Sequence, residues 1–168
     1  AQKCLDLIDS IIDTCASCRA WASPQPDSIA SVEVAEKFNV QVECDLMFYK
    51  DYTIIHFIDR CTRWHSTQVV KSKKVEDLIP AISDAWVRVH GHMQELSCDG
   101  EGAICEAFAS HAYFDRQGIH FHPRAPGQHA RFIERRGALL RHVLAKIDTQ
   151  LEIEGLIIPF PLRLAEAT

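Results

Sequence analysis

Three alternating stretches follow one another between Val40 and Val70, and this run limits the chain's fold more than any other feature. In "VQVECDLMF", Val40, Val42, Cys44, Leu46 and Phe48 fall on one side, and Gln41, Glu43, Asp45 and Met47 on the other. A period of two is that of a strand. "YTIIHFID" and "RWHSTQVV" repeat the pattern after short turn-like breaks, which predicts an antiparallel meander of three strands. The period then changes. In "KVEDLIPAISDAWVRVHG", Val75, Leu78, Ile79, Ile82, Trp86 and Val89 recur at helical spacing, and Gly91 closes the segment.

The alternation of strand and helix continues to the end of the domain. "MQELSC" reads as a fourth strand, "AICEAFASHAYFDRQG" as a helix ending at Gly118, and "IHFH" as a fifth strand. "PRAPGQHA" is a loop. "RFIERRGALLRHVLAKID" is a last helix with Leu139, Leu140, Val143, Leu144 and Ile147 as its buried stripe. The predicted order is β-β-β-α-β-α-β-α, an α/β domain with a five-stranded mixed sheet flanked by helices. Upstream, "CLDLIDSIIDTC" has a short amphipathic helical pattern and "ASPQPDS" reads as a linker. The expected division is 1–21 for the N-terminal helical segment, 22–37 for the linker, 38–149 for the domain and 150–168 for a C-terminal extension. The first residue is Ala rather than Met, as expected of a piece excised from something longer.

At 168 residues the chain is long enough for one substantial core. Its apolar runs are too short to span a membrane, so no membrane partner is expected. The net charge is −5, which argues against a generic nucleic-acid coat. The balance is uneven, however: from Tyr113 to Asp148 there are seven Arg or Lys against three acids. A local basic surface points to phosphate. Seven cysteines without a regular framework, several inside strand-like stretches, suit a reduced intracellular protein.

The stretches "VECDLMF", "FIDRCTRW", "LSCDGEGAI" and "PGQHARFIERR" resemble the catalytic core of retroviral-type integrases, especially those of copia-like retroelements, which have a ribonuclease-H-like fold. In that family one Asp lies in the first strand, another at the end of the fourth, and a Glu about 35 residues later opens a helix. The matching positions here are Asp45, Asp99 and Glu134, with 34 residues between the last two. The resemblance implies that the three carboxylates are catalytic and bind Mg²⁺ or Mn²⁺. Clustered negative charges repel unless a cation neutralises them, and hard oxygen donors suit these two ions. Paired ions of this kind activate an attacking oxygen and stabilise a departing one. The implied activity is DNA 3′-end processing followed by strand transfer into target DNA. Arg131, Arg135, Arg141, Lys146 and His129 are the expected DNA contacts, Arg136 is a further candidate, and Gly127 is a hinge for the loop before the helix. Family members assemble through their helices, so a homo-oligomer is expected, acting on DNA in the nucleus.

"CASC" matches the second half of the family's N-terminal zinc finger, with Cys15 and Cys18 as half a site. No histidine precedes His56, so Zn²⁺ is expected only if a longer chain supplies the missing pair. Gly137 stands where the family often has Asn, and the family's small basic C-terminal domain is not matched. Two rival readings follow. One is an inactive or domesticated integrase-like module that binds nucleic acid or protein. The other is a ribonuclease-H-like nuclease, which a fourth acid near Asp45 and Asp99 would support, and Asp59 is the obvious candidate. Asp59 is more simply read as a turn residue at its strand tip.

Overall fold

A computed structural model of the chain describes residue 15 and residues 35–98, 112–124 and 131–168. The described residues divide between two compact units. One holds Glu33–Leu139 with Thr168, and the other takes in Leu140–Ala167. The amphipathic segment at 5–12 and most of the linker lie outside the described residues.

The first unit contains β1 (Gln41–Tyr49), β2 (Tyr52–Asp59) and β3 (His65–Val70) as an antiparallel meander, followed by β4 (Glu95–Cys98) and β5 (His120–Pro123). Strand order in the sheet is β3-β2-β1-β4-β5, with β4 parallel to β1 and β5 parallel to β4. Helix α1 (Val75–Ile82) runs on through a π-helical turn (Ser83–Val87) into a last α-helical turn (Arg88–His90), and makes the crossover from β3 to β4. Helix α2 (Tyr113–Gln117) precedes β5, and helix α3 (Arg131–Glu154) follows it. A five-stranded mixed sheet with flanking helices is thus the observed architecture.

Burial explains which elements pack where. Val42, Cys44, Ile55 and Phe57 of the sheet form the main core with Leu78, Ile82 and Trp86 of the α1 segment and Phe114 of α2. Asn39 locks the start of β1 to the end of that helix. Its side chain accepts from Trp86 Nε1 at 2.8 Å and donates to the carbonyls of His90 and His92. Asn39 has a φ of 64°, a left-handed conformation that Asn tolerates better than most residues.

Three sequence expectations change. Val89, predicted on the buried stripe, is 68% exposed. A π turn advances fewer degrees per residue than an α turn, so the stripe slips out of phase after Trp86. The π turn is also held from the sheet, because Ser66 Oγ donates to the Ala85 carbonyl at 2.7 Å. Leu139 is likewise exposed, and the buried positions around it are Ile133, Leu140 and Leu144. Finally, the alternation of β1 does not mark a wet face. Met47 and Glu43 are both buried, whereas Phe48 is exposed. The second face of the sheet is covered around Ile58, Ile133 and Phe132, where α3 begins.

The tail from Gln150 had no expected structure. Helix α3 extends through it to Glu154, and α4 (Phe160–Ala167) follows in the second unit. There Arg163 pairs with the buried Asp148, and Phe160 and Leu164 are buried.

Candidate functional site

The site lies on the second face of the sheet, where odd-numbered β1 residues meet the beginning of α3. Asp45 sits within β1, opposite His56 in the antiparallel register. Its side chain is 36% exposed, unlike those of its neighbours Cys44 and Met47. Oδ1 accepts the backbone N–H of Leu46 at 2.7 Å, and Oδ2 lies 3.9 Å from Nε2 of the buried His56. Behind His56 stands His65, with Nδ1 and Nε2 of the two rings 3.3 Å apart. Burial, then the neighbouring His56 and Arg136, lowers the His65 pKa to about 3, so this imidazole is neutral at ordinary pH.

Glu134 lies in the first turn of α3 and is exposed. The dipole at a helix N-terminus favours a carboxylate there. What anchors this turn is Glu43, two residues before Asp45 on the same face of β1. Glu43 is 1% exposed. Its Oε2 accepts the backbone N–H of Ile133 at 3.2 Å, and its Oε1 pairs with Arg124 Nη2 and lies 3.4 Å from Arg60 Nε. The first N–H groups of a helix have no partner within it. Here a carboxylate from the sheet supplies one. Phe132 adds an apolar hold beneath the Arg63 guanidinium, 3.3 Å from the ring centre.

The structure thus ties the segment of Asp45 to the segment of Glu134, because one hydrogen bond joins Glu43, two residues before Asp45, to Ile133, the residue before Glu134. Asp99, the third expected ligand, lies outside the described residues, as do His129, Gly127 and Cys18. Among the described residues no three His, Cys, Asp or Glu side chains are grouped so as to hold a metal. Arg131 opens α3, but its side chain is not described. Arg135 and Arg141 are exposed and Lys146 is half-buried along the same helix. Arg136 instead donates to the carbonyl of Thr168 at 2.7 Å. Cys15 is half-buried.

Asp59 behaves as a turn residue. It is fully buried, and its Oδ1 accepts the N–H groups of Cys61 and Thr62 and the Thr62 hydroxyl. Its Oδ2 accepts the Asn39 N–H. A cavity of about 220 Å³ opens at the Gln41 end of β1, lined by residues including Arg60, Glu95, Ser97, His122 and Arg124. Neither Asp45 nor Glu134 lines it.

Glu43, His56 and His65 were not singled out from the sequence. Glu43 stood in the alternation of β1, but its hydrogen-bond partners Arg124 and Ile133 are 81 and 90 positions away, and no local pattern reveals them.

No family model matches the chain, and no curated protein matches it in sequence. Solved structures do. A chain of the simian T-cell lymphotropic virus intasome, solved by cryo-EM in complex with PP2A regulatory subunit B56 gamma, superposes with a TM-score of 0.71 at 19% identity. That match covers 94% of this chain but only 57% of the other. The HTLV-2 integrase catalytic core domain in complex with magnesium, in its trimeric form, gives a TM-score of 0.63 at 17% identity, covering 77% of this chain and 82% of that one. The BIV integrase catalytic core domain gives 0.62 at 14% identity, covering 77% and 80%. Five strands in this order, the parallel β1–β4 pair and the flanking helices give the chain the ribonuclease-H-like fold of retroviral integrase catalytic cores.

Proposed function

We propose that this chain is the catalytic core of a retroelement integrase, a polynucleotidyl transferase that processes the 3′ ends of its element's DNA and joins them to target DNA. The observation that carries this reading is the hydrogen bond from Ile133 to Glu43, which ties the turn of Glu134 to the strand of Asp45 in a fold shared with integrase cores. The parallel β1–β4 pairing, in which Gln41, Val42 and Glu43 face Glu95, Leu96 and Ser97, is consistent with this reading.

The donor chemistry fits a hard divalent cation. Asp45 presents a partly exposed carboxylate, and the proposed partners are carboxylates without thiolate or imidazole. Asp45, Asp99 and Glu134 would hold Mg²⁺ or Mn²⁺; the similar HTLV-2 core was solved with magnesium. A bound cation supplies charge neutralisation and Lewis acidity at the phosphate. In strand transfer a 3′-hydroxyl oxygen forms a new bond to phosphorus while the target's own P–O3′ bond breaks. One phosphodiester replaces another, so no nucleotide cofactor is consumed. Arg135, Arg141 and Lys146, with Arg131 and His129, are proposed to contact the DNA backbone. On α3, Arg135 and Arg141 are open to solvent. The HTLV-2 core was solved in trimeric and dimeric forms, and we propose a homo-oligomer here, acting on DNA in the nucleus.

The nuclease reading loses its fourth acid, because Asp59 has both oxygens committed to backbone and hydroxyl donors. The test is Mn²⁺-dependent joining on a branched DNA substrate. The parent joins strands, and Asp45→Asn and Glu134→Gln fall to background while remaining folded. Cleavage without joining would favour the nuclease instead.

A further inference from the structure

We propose that Glu43 is a positioning residue for the reaction, a buried clamp that holds Glu134 in place relative to Asp45; this rests on the function proposed above. Three observations converge on it. Glu43 is on β1, two residues from Asp45 and on the same face. It accepts the N–H of Ile133, the residue before Glu134. It also pairs with Arg124, the last described residue before 125–130, the segment that leads into α3. One carboxylate therefore grips both flanks of the connection that delivers Glu134. Arg60, at the end of β2, completes the clamp from a third element.

Stability alone is a poor reason to keep such an arrangement. Removing a carboxylate and two guanidinium groups from water is costly, and well-packed apolar replacements are often as stable or more so. A charge-assisted hold is directional, however, and fixes the angle and depth of the helix start as apolar packing does not. Apolar packing is already present at this turn, in Phe132 and Ile133 against Ile58. The clamp adds orientation. A shift of about 1 Å in a reacting group is enough to cost about 100-fold in rate.

The experiment uses the full chain and three proteins: the parent, Glu43→Gln, and the double variant Glu43→Gln with Arg124→Met. Gln keeps an acceptor for Ile133 N–H but leaves two part-buried guanidinium groups, Arg60 and Arg124, without the Glu43 carboxylate, so the single variant loses stability. The double variant removes one stranded charge and regains much of that loss. Thermal midpoint, Mn²⁺ affinity and the kcat and KM of strand joining are measured for each. We expect kcat at least about 10-fold below the parent in both variants, with weakened Mn²⁺ binding and little change in KM for DNA. Recovery of kcat together with thermal midpoint in the double variant would overturn the proposal, making Glu43 only a structural ion pair. A parent that neither binds Mn²⁺ nor joins strands overturns the integrase reading and this one with it. An active parent with unaffected variants overturns this one alone.

Discussion

His65 is neutral because it is buried against His56 with Arg136 nearby, and the consequence is a proton the folded chain refuses. Its folded pKa is about 3, against an ordinary value of 6.5. Unfolded chains take up this proton as the pH drops below 6.5, while the folded chain does not. The contribution to stability is therefore complete above pH 6.5 and is lost as pH falls toward 3, at a limiting slope of about 1.4 kcal/mol per pH unit. Urea unfolding between pH 7 and 4.5 should show this slope, and His65→Gln should flatten it by about one proton. A second residue-scale expectation concerns Cys44. A hydrogen bond with Cys98, then burial, then the charges of Cys98, Asp45 and Glu43 raise its pKa well above that of an ordinary thiol. The thiolate is the reactive form. Iodoacetamide labelling of the native protein, followed by mass spectrometry, should find the half-buried Cys61 modified well before Cys44. Equal rates would contradict the burial of β1.

At the scale of elements, the turn after β2 depends on one side chain. Asp59 accepts four hydrogen bonds while fully buried, from the turn that follows it and from Asn39 at the start of β1. Asp59→Ala leaves those donors without partners, and the expected loss is about 3 kcal/mol in urea unfolding. Strand joining by the fraction that remains folded should persist, which separates Asp59 from the proposed ligands. Elements were also where the sequence was most readable. All five strands and the last helix stand in the predicted order, because periods of two and 3.6 are visible in any window. What the sequence hid was phase and depth. The π turn before Arg88 moved Val89 out of the core, and no residue in "SDAWV" announces a π turn. The length of α3 was underestimated, because "TQLEIE" has no apolar stripe strong enough to extend the pattern.

At the scale of the whole molecule, the candidate site was inferred from the joint spacing of Asp45, Asp99 and Glu134, not from any of them singly, and of the three only Asp45 and Glu134 fall among the described residues. Their supports were not legible. Glu43, Arg124 and Ile133 come together only after the sheet and α3 are assembled, and His65 meets His56 only through the pairing of β2 with β3. The net charge of −5 makes a related point: it argues against a generic nucleic-acid coat, while Arg135 and Arg141 on one helix are exposed. Their proposed DNA contacts are electrostatic, so DNA affinity should fall as salt rises, and an Arg141→Ala variant should show a shallower salt slope. The central claim is that three carboxylates form one divalent-cation site. Its most direct test is a calorimetric Mn²⁺ titration of the full chain beside Asp45→Asn, Asp99→Asn and Glu134→Gln. Saturable binding by the parent, weakened in all three variants while their thermal midpoints hold, is the predicted result; parent and variants binding alike, or none binding at all in folded samples, would contradict it.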